Sequence, residues 1–301
     1  MESALKKFLF CLGVTEGGTN WVHRVLSQHT QFAFVPRKEI HYHLRQYGGV
    51  DRLSDFARMR HFVESVQHFK LHAGDDSLGI LERSSEAAYG MPWDTQALKA
   101  WAKNGPCDKR YKRLMRIINW YKPYLQSPVN DAWYRSLFDK TPPNQWPSDF
   151  STTGLMCGAE AIAHMSKLAE DTRAMVLLRD PIERLWSHVI LHAEIVGEVD
   201  QLRRWDAARL RQYVADFDMA AGSYYADGIE AMVQHFAPDK RHIVNFEDLE
   251  TWPDETMNGI YDFLEIPRMR LPSGADVEKK TNINHDIPMP KGVFADLAPS
   301  F

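Results

Sequence analysis

A strand-sized apolar run that passes straight into a glycine-rich turn constrains the fold of this chain more than any other feature. The run is Phe8–Gly13, which has the length and continuity of a parallel strand buried on both faces. The turn holds Gly17 and Gly18, and an amphipathic helix is predicted from Gly18 to about His29. Such a turn directs backbone N–H groups and the positive end of a helix at one point, a geometry that binds anions.

The strand–turn–helix pattern recurs about 160 residues later. Ala174–Leu178 reads as a buried strand, Asp180 suits the N-cap of the next helix and Pro181 its first position. Two further strands are predicted at Phe32–Val35 and Arg241–Phe246. Strands that alternate with helices indicate an α/β fold, here a P-loop-like open parallel sheet flanked by helices.

The alternation of strands and helices stops between about residues 47 and 138. This stretch is predicted to be helical, contains no clear strand and is dense in tryptophan and tyrosine. We expect a long helical insertion over the carboxyl edge of the sheet, where ligands of α/β proteins usually bind. Its ends show no Gly/Ser/Pro-rich linker, so residues 1–301 are predicted to form a single domain. Its tryptophans fit either a plain core or a surface that stacks on sugar rings.

Composition excludes several classes of partner. The 36 basic and 40 acidic residues give a formal charge of −4, which argues against nucleic acid. No apolar run approaches the roughly 18–20 residues that cross a bilayer, so no membrane association is expected, and the first apolar stretch reads as a core strand rather than a signal peptide. The three cysteines, Cys11, Cys107 and Cys157, stand at unrelated spacings and signal neither disulfides nor a metal site. These features predict a cytoplasmic protein.

Arg179 and Ser187 supply a second candidate anion site. Arg179 follows the predicted strand and Ser187 lies in the next helix, so both can face the same crevice. A forked guanidinium and a hydroxyl suit a phosphate monoester. Arg179 can instead pair with Asp180 or Glu183, but the nearby glycine loop favours phosphate binding.

Four motifs in order resemble the sulfotransferases that use 3′-phosphoadenosine 5′-phosphosulfate (PAPS), particularly the branch that sulfates glycans such as heparan sulfate. The glycine loop resembles the family's G-V-x-K-x-G-T, and Arg179–Ser187 its R-D-P-x-x-R-x-x-S. Lys38–His43 (KEIHYH) resembles K-E-x-x-F-F, and Asp139–Pro142 (DKTP) resembles E-K-T-P. The resemblance covers about residues 7–265 and implies sulfuryl transfer from PAPS, with 3′-phosphoadenosine 5′-phosphate (PAP) as product and no metal.

The resemblance also implies residue roles. Glu39 is the general base, with a surface carboxylate as the alternative, and Lys140 stabilises the sulfuryl oxygens. The acceptor is a hydroxyl or amine of a small molecule or glycan; the sequence is silent on oligomeric state. Lys38, His41 and His43 are candidates for substrate binding, although such histidines often fill an aromatic core. Arg179 and Ser187 bind the 3′-phosphate, and the remaining donor-binding candidates are Thr15, Glu16, Gly17, Gly18, Thr19, Asn20, Lys279 and Lys280.

Glu16 stands where the family has a lysine that neutralises the 5′-phosphosulfate. Three explanations are open: the carboxylate turns outward while Lys140, Lys38 or Arg24 supplies the charge; the protein binds nucleotide without catalysis; or Glu16 occupies the helix N-terminus and competes with the donor. A kinase-like enzyme that uses ATP is a more distant alternative, because the loop lacks Gly-Lys-Ser/Thr and no convincing magnesium ligand follows.

Overall fold

A computed structural model of the chain describes residues 5–73, 108–271 and 287–294. The chain divides into two compact units. The first comprises residues 1–34, 38–51 and 140–301, and the second comprises residues 35–37 and 52–139. Lys279 and Lys280 lie outside the described residues.

The first unit is built on a five-stranded sheet with the order β2-β3-β1-β4-β5, in which every pair of neighbours is parallel. This architecture confirms the predicted open parallel sheet flanked by helices. The strands are β1 (Leu5–Cys11), β2 (Phe32–Ala33), β3 (Trp146–Phe150), β4 (Ala169–Leu178) and β5 (Arg241–Asn245).

The helices follow the strands as an α/β chain requires, with short 3-10 turns at Gly154–Cys157, Met219–Ser223 and Pro238–Lys240. Among the described residues, no helix is both long enough and apolar enough to span a bilayer. The helices are α1 (Thr19–Leu26), α2 (Tyr42–Tyr47), α3 (Asp55–Ala73), α4 (Asp108–Tyr124), α5 (Asp131–Ser136), α6 (Ala159–Met165), α7 (Pro181–Ile195), α8 (Val199–Leu202), α9 (Ala207–Asp216), α10 (Ala226–His235), α11 (Phe246–Thr251) and α12 (Pro253–Phe263).

Alternating residues of β1 face opposite sides of the sheet. Leu9 and Cys11 join a core cluster with residues of α1 and α12, whereas Phe10 packs on the other face against His43 of α2. Both faces are therefore buried at this end of β1, which explains why Phe8–Cys11 is an unbroken apolar run.

Local signals place the starts of the two helices next to the predicted anion site. The Asp180 side chain accepts hydrogen bonds from the backbone N–H groups of Ile182 and Glu183, both at 2.9 Å, and Pro181 opens α7 as predicted. Gly18 precedes α1 with a φ of 87°, a conformation that an L side chain rarely adopts. The predicted helices are thus confirmed here, with α1 ending earlier than His29.

The second unit is helical, formed by α3, α4 and α5 among its described residues. Aromatic rings fill its interior: Trp120 stacks on Tyr124, and Tyr124 packs against Trp133. The Trp120 indole donates to the carbonyl oxygen of Leu137 at 2.9 Å. These two tryptophans are buried, which confirms the core interpretation for them; the function of the unit as a cover for the sheet stays a prediction.

Candidate functional site

The glycine loop connects β1 to α1 at the carboxyl edge of the sheet. It is tied to β4 by a hydrogen bond from Val14 N to the carbonyl oxygen of Leu177 at 3.3 Å. A Cβ added to Gly17 would lie 2.9 Å from that same oxygen, and one added to Gly18 would lie 2.9 Å from the Phe246 ring. Only glycine fits these two positions, because the loop packs closely against β4 and Phe246. A glycine-rich turn of this kind before a helix is an arrangement that commonly binds anions.

Arg179 reaches the loop from the end of β4. Its guanidinium donates to the carbonyl oxygen of Glu16 at 3.3 Å and lies over the Phe246 ring, 4.5 Å from the ring centroid. The Tyr225 hydroxyl donates to the Arg179 carbonyl oxygen at 3.1 Å. The structure therefore brings together the two segments in which the sequence predicts anion binding.

Glu16 turns across to α7. Its carboxylate oxygen Oε2 accepts a hydrogen bond from the Ser187 hydroxyl at 2.6 Å. Its backbone has a φ of 66°, in the left-handed region that non-glycine residues avoid. The carboxylate thus takes the hydroxyl that the family resemblance assigns to the 3′-phosphate.

Lys38 and Glu39 lie beside the loop, held by the end of β3. The backbone N–H of Glu39 donates to the carbonyl oxygen of Phe150 at 3.1 Å. The Lys38 ammonium donates to Thr19 Oγ1 at 3.2 Å and to Asn20 Oδ1, and it lies 3.6 Å from a carboxylate oxygen of Glu39. Lys38 consequently links the first turn of α1 to the residue expected to act as base.

His41 lies on the other side of the Glu39 carboxylate. Its Nε2 is 3.5 Å from Glu39 Oε2, and its Nδ1 is 3.0 Å from Thr153 Oγ1. His41 is buried, whereas the Glu39 side chain is 31% exposed. Glu39 is therefore oriented from within the protein while its carboxylate stays accessible.

Backbone strain is concentrated around these residues. Glu16, Glu39 and His41, with φ values of 66°, 62° and 59°, are three of the five non-glycine residues with positive φ in the described chain. Each such conformation costs on the order of 1–3 kcal/mol and persists only where its surroundings impose it, most often at functional sites.

Charges in the site are desolvated. Burial lowers the pKa of Lys38, while the Glu39 carboxylate acts in the opposite direction.

Burial also lowers the pKa of His188 to about 4, with repulsion from Arg184 as the next cause. The Arg184 guanidinium donates to His188 Nδ1 at 2.6 Å and to Ser223 Oγ at 3.1 Å, which fastens α7 to the turn that follows α9. Among the described residues, no cluster of three or more His, Cys, Asp or Glu side chains is arranged to hold a metal ion.

Two candidates from the sequence lie elsewhere. Lys140 is exposed, six residues before β3, and among the described residues no hydrogen bond or ion pair joins it to Glu39 or the loop. His43 is buried against Phe10, with its Nε2 3.3 Å from His164 Nδ1, an environment that favours the core interpretation.

Sequence reasoning missed Thr153 and Phe246, which contact His41 and Arg179 respectively. Thr153 follows β3, a central strand that the sequence did not predict because Pro147 and Asp149 interrupt its apolar character. Recognition of that strand would have placed the Ser151–Thr153 hydroxyls at the carboxyl edge of the sheet. Phe246 was predicted to end β5, but it begins α11 instead.

Comparison with known proteins identifies the family. The sequence profile of the Sulfotransferase family matches residues 9–270. The chain belongs to the sulfotransferase family. This sulfotransferase is 25% identical over 143 residues to heparan sulfate glucosamine 3-O-sulfotransferase 3B1 of Mus musculus and 24% identical to the human 3A1 protein. The match covers 46% of this chain and 36% and 34% of those proteins, so it spans only about a third of their length.

Solved sulfotransferases share the fold. The sulfotransferase of Alicyclobacillus acidocaldarius aligns with a TM-score of 0.55 at 16% identity, covering 100% of this chain and 92% of its own. The sulfotransferase domain from the curacin biosynthetic pathway aligns with a TM-score of 0.51 at 17% identity, covering 99% of this chain and 98% of its own. Likeness at these identities establishes the architecture, whereas the acceptor depends on the site.

Proposed function

We propose that this sulfotransferase moves the sulfuryl group of PAPS to a hydroxyl or amine of a small-molecule or glycan acceptor, in the cytoplasm. Membership of the family supports sulfuryl transfer in general. The observation that carries the finer proposal is the link from Thr19 and Asn20 through Lys38 to Glu39, which sets a carboxylate beside the anion-binding loop. The mouse and human relatives sulfate a glycan by name, which favours an acceptor of that class.

The residues present fit a nucleotide with an anionic group at each end. The backbone around Gly17 and Gly18 suits the 5′-phosphosulfate, and Arg179 with Ser187 suits the 3′-phosphate. PAPS supplies an activated sulfuryl group: the acceptor O–S or N–S bond forms as the S–O bond to the 5′-phosphate breaks, and PAP leaves.

Glu39 accepts the proton of the acceptor in this proposal. His41, itself held by Thr153, contacts the carboxylate from the buried side at Oε2, and the Lys38 ammonium lies beside Oε1, while the side chain stays 31% exposed. A positioned base of this kind contributes about 10²–10⁴-fold to the rate. Lys140 remains a candidate for stabilising the sulfuryl oxygens on the resemblance alone.

Glu39→Gln tests the assignment because the amide keeps the shape of the side chain but takes no proton. We expect turnover to fall by about 10²-fold or more while PAP binds at least as tightly as to the wild-type protein. Turnover is measured as transfer of ³⁵S from labelled PAPS to a panel of phenols, amines and heparan oligosaccharides, and binding by calorimetry. Glu170→Gln, at the start of β4, is the matched control. Wild-type turnover in Glu39→Gln would remove Glu39 as the base.

The second candidate is a non-catalytic nucleotide-binding homologue in which Glu16 blocks transfer. The hydrogen bond between Ser187 and the Glu16 carboxylate favours it, since that contact competes with a phosphate. Glu16→Lys separates the two proposals: a dormant protein gains transfer activity, whereas an adapted enzyme loses activity or changes little. The first measurement for both candidate functions is calorimetric titration with PAP, with ATP plus magnesium as the control. Binding of ATP but not of PAP would favour the kinase-like alternative.

A further inference from the structure

We propose that Lys38 supplies the positive charge for the 5′-phosphosulfate that the loop of this chain lacks at position 16. The inference rests on the proposed function and names the residue that compensates for Glu16. The sequence offers Lys38 both for substrate binding and, with Lys140 and Arg24, as the source of the missing charge; the contacts of Lys38 with α1 favour the second of these roles.

The loop itself has no cation. Gly13–Trp21 contains neither lysine nor arginine, and its one charged residue, Glu16, is acidic. The Glu16 carboxylate accepts a hydrogen bond from Ser187 on α7, so its charge is drawn toward the 3′ side of the candidate nucleotide site. Any positive charge at the 5′ side must therefore come from another segment.

Lys38 reaches the required place. Its ammonium donates to Thr19 Oγ1 at 3.2 Å and to Asn20 Oδ1, the first two residues of α1. The backbone N–H groups of this turn are the ones that a 5′-phosphate would meet at the end of the glycine loop. The ammonium is thus within a hydrogen bond of the side chains that border the anion position.

A lysine at this point is costly without an anion. The N-terminus of a helix carries the positive end of its dipole, so cations are stabilised at the opposite end. The Lys38 side chain is also only 19% exposed, which removes most of its hydration. Glu39, 3.6 Å away, offsets part of this cost, and an anionic ligand between Lys38 and the loop would offset the rest.

The backbone fixes Lys38 in this position. Glu39, the next residue, has a φ of 62° and is anchored by its N–H to the Phe150 carbonyl oxygen. The strained residue directs the two side chains, one to the loop and one to the candidate acceptor side. The same turn therefore delivers both the donor cation and the base.

The test removes the charge of Lys38 but keeps a hydrogen-bond donor. Lys38→Gln is expected to weaken PAP by about 10- to 100-fold, since a unit charge near 4 Å has a large effect at an intermediate dielectric. Adenosine 3′-phosphate, which lacks the 5′ group, should lose less than about threefold. Lys38→Arg, which keeps the charge, should stay within about threefold of wild type for PAP. Lys167→Met, on an exposed turn, is the control, and thermal melting checks that each variant is folded.

The second experiment moves the positive charge from position 38 to position 16. Glu16→Lys/Lys38→Gln restores a lysine at the loop position of the family and should recover at least tenfold of the lost PAP affinity. Any of four results would overturn the inference. Lys38→Gln could leave PAP affinity unchanged, or could weaken PAP and adenosine 3′-phosphate equally. Lys38→Arg could lose as much PAP affinity as Lys38→Gln, or the double variant could bind PAP no better than Lys38→Gln. Failure of the wild-type protein to bind PAP would instead refute the proposed function, so the two failures are distinguishable.

Discussion

Replacing Glu16 with glutamine should tighten the binding of PAP. In the free protein, the Ser187 hydroxyl donates to the Glu16 carboxylate at 2.6 Å. A 3′-phosphate that takes this hydroxyl must break a hydrogen bond to a charged acceptor and then lie near a like charge. Glutamine removes the charge and leaves a side chain of nearly the same size.

Two contributions determine how much Glu16→Gln should increase the affinity for PAP. A phosphate oxygen that replaces the carboxylate at Ser187 would lie about 5 Å from the displaced carboxylate, where two unit charges repel by about 1–3 kcal/mol for effective dielectrics between roughly 80 and 20. A hydrogen bond to a charged group contributes about 1.5–3 kcal/mol, but the hydroxyl regains most of this when it donates to phosphate. Glu16 is half-buried, so screening is appreciable and the lower end of the range applies. We expect a gain of about 1 kcal/mol, which is about fivefold in Kd.

Calorimetric titration at pH 7.5 and constant ionic strength measures this gain. Glu183→Gln, in the first turn of α7, removes a nearby exposed carboxylate and is the matched control, with an expected change below about twofold. AMP, which has no 3′-phosphate, should gain less than PAP from Glu16→Gln. The gain for PAP should shrink in the Ser187→Ala background, because the contested hydroxyl is then gone. PAP binding that is equal or weaker in Glu16→Gln would refute the competition between Glu16 and the phosphate.

Two further predictions concern Arg179 and His188. Arg179→Ala should weaken PAP far more than adenosine 5′-phosphosulfate in the same titration, because its guanidinium is expected to face the 3′-phosphate; equal losses would contradict that assignment. Burial and Arg184 lower the pKa of His188 from 6.5 to about 4, so the unfolded chain binds the extra proton first as the pH falls. His188 should therefore lower the free energy of unfolding progressively between pH 6.5 and 4, by up to about 3 kcal/mol. Urea unfolding should show a smaller decrease of this free energy in His188→Gln than in the wild type over the same range. Identical pH profiles for the two proteins would exclude the effect.

The fold could be predicted where each element carries its own signal. The carboxyl-terminal halves of β1 and β4 are continuous apolar runs because they are buried, and Asp180 with Pro181 defines the start of α7 locally. β3 could not be predicted in this way, since Pro147 and Asp149 interrupt its apolar pattern and its place is set by pairing with β1 and β2. A strand specified by its neighbours leaves little pattern in its own residues.

The sequence identified candidate residues of the site but not the contacts between them. The sequence singles out Glu16, Lys38 and Glu39 as residues of interest, because each departs from or matches a motif. The contact of Glu16 with Ser187 joins residues 171 positions apart, and that of Lys38 with Thr19 joins residues 19 apart. These contacts depend on where β1, β3 and β4 end relative to one another, which only the assembled sheet determines.

The two contacts together suggest how a loop with an inverted charge can still serve an anionic donor. If Glu16 remained at the 5′ side, its repulsion would add to that between the donor and Glu39, and one lysine could not offset both. Ser187 holds the Glu16 carboxylate on the α7 side, where its charge also acts on the Arg184 guanidinium, while Lys38 brings a positive charge to the start of α1. Under this proposal, the positive charge that the family resemblance expects in the loop is supplied by Lys38 instead. Because the exchange needs both partners, changing Glu16 alone and Lys38 alone should have opposite effects on PAP affinity, and their coupling in a double-mutant cycle should exceed the roughly 0.3–0.5 kcal/mol typical of independent sites.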